Sequence, residues 1–152
     1  VVIRPYRDGD FTEVAILEIA GVHERYRSAV FVRQMGALCP GTFLVAVAGT
    51  TVVGYTVGTI VQDDSKSGWV LRMMVKDGYR RRGTGTRLLD AVIDVLRARS
   101  IRTVYLTVSP KNAPAIRLYK NKGFVQIAEM KEYFGPGEDR FMMKREDSAG
   151  QK

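Results

Sequence analysis

The chain predicts a mixed α/β fold, and three observations carry the prediction. Two β-branched runs, TFLVAVA and TVVGYTVGTIV, flank a Gly-Thr pair as the strands of an antiparallel hairpin do. A basic, glycine-bearing stretch, YRRRGTGT, leads from an apolar strand into an amphipathic helix, and two further apolar runs, FVQIAEM and DRFMMKR, follow a short helix near the carboxyl end. Strands and helices alternating in this way build a sheet flanked by helices.

In chain order, VVIRPY reads as the first strand. Asp10 followed by Glu13 has the spacing of a capping box and predicts a helix reaching about Ala20. Arg25 to Leu38 is a second helical segment. The hairpin comes next, then QDDSKSG as a polar turn. WVLRMMV is a strand whose nearly continuous apolar character predicts burial on both faces. After the basic stretch, Leu88, Leu89, Val92, Val95 and Leu96 recur at helical spacing, while Arg87, Asp90, Asp94 and Arg97 point elsewhere. TVYLTV is another strand. NAPAIRLYKNKG is a short helix with Pro114 in its first turn and Gly123 at its end, and FVQIAEM and DRFMMKR close the sheet. The expected organisation is one domain over residues 1–145 and a polar tail, EDSAGQK, over 146–152.

Composition narrows the function. With 45% hydrophobic and 26% charged residues the chain has the balance of a soluble globular protein. No apolar run approaches the roughly 20 residues of a membrane span, and the amino end lacks a signal-peptide pattern, so neither membrane nor export is expected. One cysteine, Cys39, cannot form an intramolecular disulfide, in keeping with a reducing, cytoplasmic setting. A net charge of +8 favours polyanionic partners: nucleic acid, ribosome, anionic membrane or a phosphorylated cofactor.

The basic stretch is an anion site in outline. The first turn of a helix has N–H groups without intrahelical acceptors, and its dipole adds about half a positive charge. At Gly83 and Gly85 a Cβ would stand between those N–H groups and a phosphate, while Arg80, Arg81 and Arg82 add charge and forked donors. The ATP-type loop G-x-x-x-x-G-K-[ST] does not fit. The dinucleotide fingerprint G-x-G-x-x-G fails too, because Leu88 stands where its third glycine belongs. Taken alone, the stretch reads equally as a solvated basic turn.

The wider pattern decides between these readings. VKDGYRRRGTGTRLL resembles motif A of the GNAT superfamily of acetyl-CoA-dependent N-acetyltransferases, [QR]-x-x-G-x-[GA], with Arg80, Gly83 and Gly85 in the fixed places. LTVSPKNAPAIRLYKNKGF resembles motif B, L-x-V-x-x-x-N-x-x-A-x-x-L-Y-x-x-x-G-F, with every fixed letter present. The resemblance implies a GNAT-type α/β fold: a central, mostly antiparallel sheet with a parallel, splayed centre, flanked by helices. It implies acetyl-CoA as cosubstrate. Backbone groups of Met73, Met74 and Val75 would meet the pantetheine arm, and N–H groups of Arg81, Arg82, Gly83, Thr84, Gly85 and Thr86 the pyrophosphate. Asn112 would contact the cofactor, and Tyr119 would protonate the departing thiolate.

The carboxyl end, EYFGPGEDRFMMKRE, is similar to a segment of ribosomal-protein and other protein amino-terminal acetyltransferases within that superfamily. By that resemblance Tyr133 helps cover the acceptor, opposite a loop reading HERY here, whose Glu24 and Tyr26 are kept. The implied acceptor is the amino terminus of a protein or peptide, with a ribosome or ribosomal protein as partner. The alternatives are a small-amine acetyltransferase acting on polyamines or antibiotics and a basic nucleic-acid-binding module. The first suits a +8 protein poorly, and the second lacks a recognisable nucleic-acid motif. Amine attack needs a base to take the proton, yet Thr107 and Trp69 stand where relatives carry titratable side chains. His23, Glu24 and Asp139 remain as substitutes, unranked.

Overall fold

The computed structural model describes residues 1–19 and 25–147. Its elements run β1 (Val2–Pro5), a single 3-10 turn (Asp8–Asp10), α1 (Phe11–Ile19), α2 (Arg25–Leu38), β2 (Phe43–Ala48), β3 (Thr51–Val61) and β4 (Asp64–Val75). They continue with α3 (Thr84–Ala98), β5 (Thr103–Val108), α4 (Ala113–Asn121), β6 (Val125–Met130) and β7 (Arg140–Glu146). The strands are ordered β1-β2-β3-β4-β5-β7-β6. Neighbours pair antiparallel at β1–β2, β2–β3, β5–β7 and β6–β7. β4 and β5 pair parallel, in a register running from Ser67↔Thr103 to Trp69↔Tyr105. The mixed sheet with a parallel centre is thus as expected. Its short register belongs to strands of 12 and 6 residues.

The described residues pack as two compact units. The first is Val1–Thr59 with Val70–Ala98, the second Ile60–Trp69 with Arg99–Lys152. In the first, β2 and β3 are buried on both faces, which explains their unbroken apolar runs. One face gives Phe43, Val45, Val52, Tyr55 and Val57 to a core shared with Val14, Leu17 and Val32 of the first two helices. Phe43 is stacked on Tyr6 at 4.4 Å and lies 6.0 Å from Tyr55. The other face gives Ala46 and Val53 to Leu88 of α3. In the second unit β5 alternates: Val104, Leu106 and Val108 are buried, whereas Thr103, Tyr105 and Thr107 are half-buried.

Three expectations change. Asp10 and Glu13 do not form a capping box. The Asp10 carboxylate accepts both Arg4 guanidinium N–H groups at 2.8 Å and the Arg7 N–H at 2.8 Å. The Arg4 hydrogen bonds hold Asp10 below the usual carboxylate range against the opposing effect of burial. Glu13 reaches across to accept the Val52 N–H at 2.7 Å, tying α1 to the hairpin. The segment QDDSKSG turns only at 62–63, and β4 starts at Asp64, because sheet pairing overrides the low strand propensity of polar residues. WVLRMMV is not buried on both faces: Leu71 and Arg72 are exposed and Met73, Met74 and Val75 half-buried.

At the carboxyl end Glu146 closes β7, and the Asp147 N–H donates to the Arg102 carbonyl at 2.9 Å. β6, the last strand in the order, has a bulge between Gln126 and Ala128. No helix among the described residues is long and apolar enough to cross a membrane.

Candidate active site

In the first unit the glycine-bearing loop hangs from the end of β4. Gly54 of β3 fixes where that end lies: a Cβ there would meet the Met74 carbonyl at 2.9 Å and Leu88 Cδ1 at 3.1 Å. Only glycine lets β3, β4 and α3 come this close. Leaving the strand, the Lys76 N–H donates to the Val53 carbonyl at 2.8 Å and the Tyr79 N–H to the Lys76 carbonyl at 3.0 Å. Gly78, Arg81 and Gly83 then take φ values of 88°, 59° and 81°. A Cβ at Gly83 would meet nothing within 4 Å, so the glycine is required by its left-handed backbone and not by close approach to a neighbour.

The three arginines divide their work. Arg80 turns back, its Nε donating to the Val75 carbonyl at 3.1 Å and its guanidinium pairing with Asp77 at 3.2 Å. It braces the loop rather than adding a free charge to the anion site. Arg82 lies over the Tyr79 ring at 5.8 Å, and Arg81 is exposed.

The helix ladder of α3 begins where the Arg87 N–H donates to the Gly83 carbonyl at 3.0 Å. That places Thr84, Gly85 and Thr86 in the first turn, whose N–H groups have no acceptor within the helix. Gly83, at the cap, has no side chain to satisfy them. Leu88, Leu89, Val92, Ile93 and Leu96 bury the other side of α3 and hold its mouth in place. The arrangement fits a diphosphate: outward N–H groups, the positive helix end and two exposed arginines.

In the second unit Asn112 caps α4 by accepting the Ala115 N–H at 3.2 Å. Tyr119 is buried on the same helix, edge-on to Phe124 at 5.9 Å, and burial pushes its phenol up to about 12. Thr107 follows Tyr105 on the half-buried face of β5, and the Trp69 ring lies 5.7 Å from Tyr105. Trp69 and Thr107 have no group that titrates near neutrality.

The loop 131–139 between β6 and β7 is closed on itself. The Glu132 N–H donates to Asp139 Oδ1 at 2.8 Å, and Lys131 pairs with Glu129 at 2.7 Å and with Asp139 at 3.6 Å. The Glu132 N–H, with help from Lys131, holds Asp139 below the usual carboxylate range. An acid so stabilised as its anion is a weak proton acceptor, so Asp139 is a brace and a poor base. Tyr133 and Phe134 stand 42% and 62% exposed, rings 4.8 Å apart, with the Arg140 guanidinium over Phe134 at 4.9 Å. Glu24 and His23 lie outside the described residues, and Tyr26 falls in the first turn of α2.

Residues 5–124 match the Acetyltransferase (GNAT) family. The chain belongs to that family. Among relatives of this GNAT protein is an N-alpha-acetyltransferase of Sulfurisphaera tokodaii, 32% identical over 151 residues that cover 93% of this chain and 90% of the relative. The ribosomal protein bS18-alanine N-acetyltransferase of Escherichia coli is 30% identical over 83 residues, 55% of this chain and 54% of the relative. Among solved structures, Ard1 of Thermoplasma volcanium superposes with a TM-score of 0.87 at 28% identity, covering 97% of this chain and 98% of that one. Four features of the GNAT chain escaped the sequence reading: Gly54, the brace formed by Arg80, Tyr105 beside Trp69, and the exposed Phe134. Only Phe134 had a signal, its place beside Tyr133.

Proposed function

We propose that this GNAT enzyme transfers acetyl from acetyl-CoA to the α-amino group of a protein or peptide. The observation that carries the choice of acceptor is the pair Trp69 and Thr107 at the two positions where relatives supply a base. An α-amino group has a pKa near ~7.8 and a lysine amine near ~10.4, so deprotonation at pH 7 costs about 1 kcal/mol for the first and about 4.6 for the second. An acceptor that is already partly neutral needs no tuned base. The full-length likeness to a relative named for N-alpha acetylation supports the same reading.

Acetyl-CoA would supply an acetyl group activated as a thioester. In this reading the N–H groups of the α3 first turn, with Arg81, Arg82, Gly83, Thr84, Gly85 and Thr86, bind its diphosphate. Met73, Met74 and Val75 offer backbone to its pantetheine arm, and Asn112 touches it from the head of α4. The Tyr119 hydroxyl is protonated through the neutral range, as an ordinary phenol is, and burial raises its pKa further; in this reading it gives that proton as negative charge develops on sulfur. Glu24, Tyr26, Tyr133 and Thr107 border the acceptor. The proposal extends to one catalytic domain over residues 1–145, a cytoplasmic setting and work on or near the ribosome. The family match across both compact units supports the single domain.

The test is acetyl transfer, read by mass spectrometry, to unblocked peptides, the same peptides amino-terminally blocked but with internal lysines, and spermidine. Acetylation confined to free α-amines, with kcat/KM rising through the α-amine pKa, is expected. Faster transfer to spermidine or lysine than to every unblocked peptide would overturn the acceptor while leaving acetyl-CoA chemistry in place.

A further inference from the structure

The charge of +8 is not spread evenly. Residues 95–128 contain Arg97, Arg99, Arg102, Lys111, Arg117, Lys120 and Lys122 and no aspartate or glutamate. In the second unit α4 turns Tyr119 inward, while Pro114, Arg117 and Lys120 are exposed along the helix and Lys111 is exposed just before its cap. Among the described residues, Lys111, Arg117 and Lys120 make no ion pair. Lys111 feels the charge of Asp139, a carboxylate already taken by Lys131 and the Glu132 N–H.

Hydrogen bonds to the main chain tie the end of α4 to neighbouring basic segments. Arg145 Nε donates to the Lys122 carbonyl at 3.0 Å, the Asp147 N–H to the Arg102 carbonyl at 2.9 Å, and the Arg102 N–H to the Lys66 carbonyl at 2.9 Å. Arg102 and Lys66 are exposed. Two acids lie in this path: Asp147, buried against Arg145 at 2.6 Å, and exposed Asp64, which accepts the Lys66 N–H at 3.1 Å. Glu146 opposes Thr103, on the other face of the sheet, and is paired with Lys144.

We infer that this α4 side is a docking surface for the phosphate backbone of RNA. Arg117 and Lys120 on α4, with Lys111 just before it, are exposed cations of the kind that bind phosphates through counterion release. The face bears Ala113 and Pro114 but no large apolar side chain, so it lacks the wedge that seats a helix in a lipid surface. A phosphate-tracking contact without base readout is what structured RNA accepts. The choice of RNA also rests on the proposed acceptor, since amino termini are made on an RNA-rich particle.

The experiment is fluorescence anisotropy with a labelled RNA hairpin of about 16 base pairs, comparing the wild type with Lys111→Ala/Arg117→Ala/Lys120→Ala across a salt series. Three lost phosphate contacts flatten the slope of log affinity against log salt by about 2–3. A fourfold rise in salt then costs the wild type about thirtyfold more affinity than the variant. Equal slopes in the two proteins, or tighter binding to duplex DNA or to phosphatidylserine vesicles than to RNA, would overturn the inference. So would a variant that binds RNA normally but has a raised KM for acetyl-CoA, which would assign the stripe to the cofactor. Peptide acetylation without RNA binding sinks this surface alone, and RNA binding without α-amine acetylation sinks the acceptor reading alone.

Discussion

The loop before α3 and the loop before β7 each contain three left-handed residues, Gly78, Arg81 and Gly83 in one and Glu132, Gly135 and Gly137 in the other. They use that backbone in opposite ways. The loop before α3 bends its side chains onto itself, Arg80 to Val75 and Asp77 and Arg82 to Tyr79, and leads into a helix end whose N–H groups face outward. The loop before β7 spends its N–H groups internally: Glu132 to Asp139, Gly135 to Glu132, Glu138 to Gly135. What it turns outward is Tyr133 and Phe134. One loop offers main chain, the other side chains. A main-chain site depends on the backbone shape its neighbours permit, whereas a side-chain site depends on the identity of each exposed residue.

The largest expected effect lies outside both loops and sets the baseline. Tyr119→Phe removes the proposed proton donor, and general acid catalysis is worth about 10²–10⁴ in rate. Single-turnover kcat should fall by that much while the Kd for acetyl-CoA holds. An unchanged kcat would make Tyr119 a packing residue.

Next, Gly54→Val forces a Cβ into the Met74 carbonyl and should cost about 1–3 kcal/mol of stability by overpacking. It should also weaken acetyl-CoA binding. Denaturant midpoints and calorimetry read the two losses, and intact binding in the folded variant would detach β3 from the cradle.

The sharpest test of the comparison is a matched pair. Gly83→Ala and Gly137→Ala each place a Cβ on a left-handed backbone, at roughly 1–2 kcal/mol. Gly83→Ala should raise the Kd for acetyl-CoA and leave peptide preference alone. Gly137→Ala should raise the peptide KM and leave the cofactor alone. The same kinetic signature from both would erase the distinction between the loops.

The smallest effect is expected from Asp139→Asn, which loosens the brace on Glu132 and should raise the peptide KM only a few-fold. Because the native carboxylate sits below its ordinary range, its bracing is complete above the unfolded value and is lost as pH falls through the lower folded one. The wild-type peptide KM should therefore be flat across neutral pH for this group. A KM that changes between pH 6 and 8 in the wild type but not in the variant would contradict the assignment.

Much of the fold was legible because it rests on periodicity: the hairpin around Gly49 and the apolar stripe of α3 follow from which residues must be buried. The turn at Gly83 was legible because a glycine there records a left-handed backbone. Side-chain destinations were not. Asp10 and Glu13 have capping-box spacing, yet Arg4 and the Val52 N–H, distant in sequence, claim their carboxylates. Asp139 looked free to act as a base until the fold placed the Glu132 N–H on it. QDDSKSG looked like a turn because strand propensity is weaker than sheet pairing.

The sheet also ends in two very different margins. β1 is four residues long and ends in Pro5, too short and too poor in donors to template another strand. β6 exposes Val125 and Ile127, a pairing hazard on a flat edge, but its bulge falls at Ile127 and interrupts the hydrogen-bond rhythm an incoming chain would need. Lys131 follows directly, adding charge where a stray strand would begin to zip. Straightening that bulge by deleting Ile127 would remove an apolar side chain and still leave a stickier protein, prone to edge-to-edge aggregation.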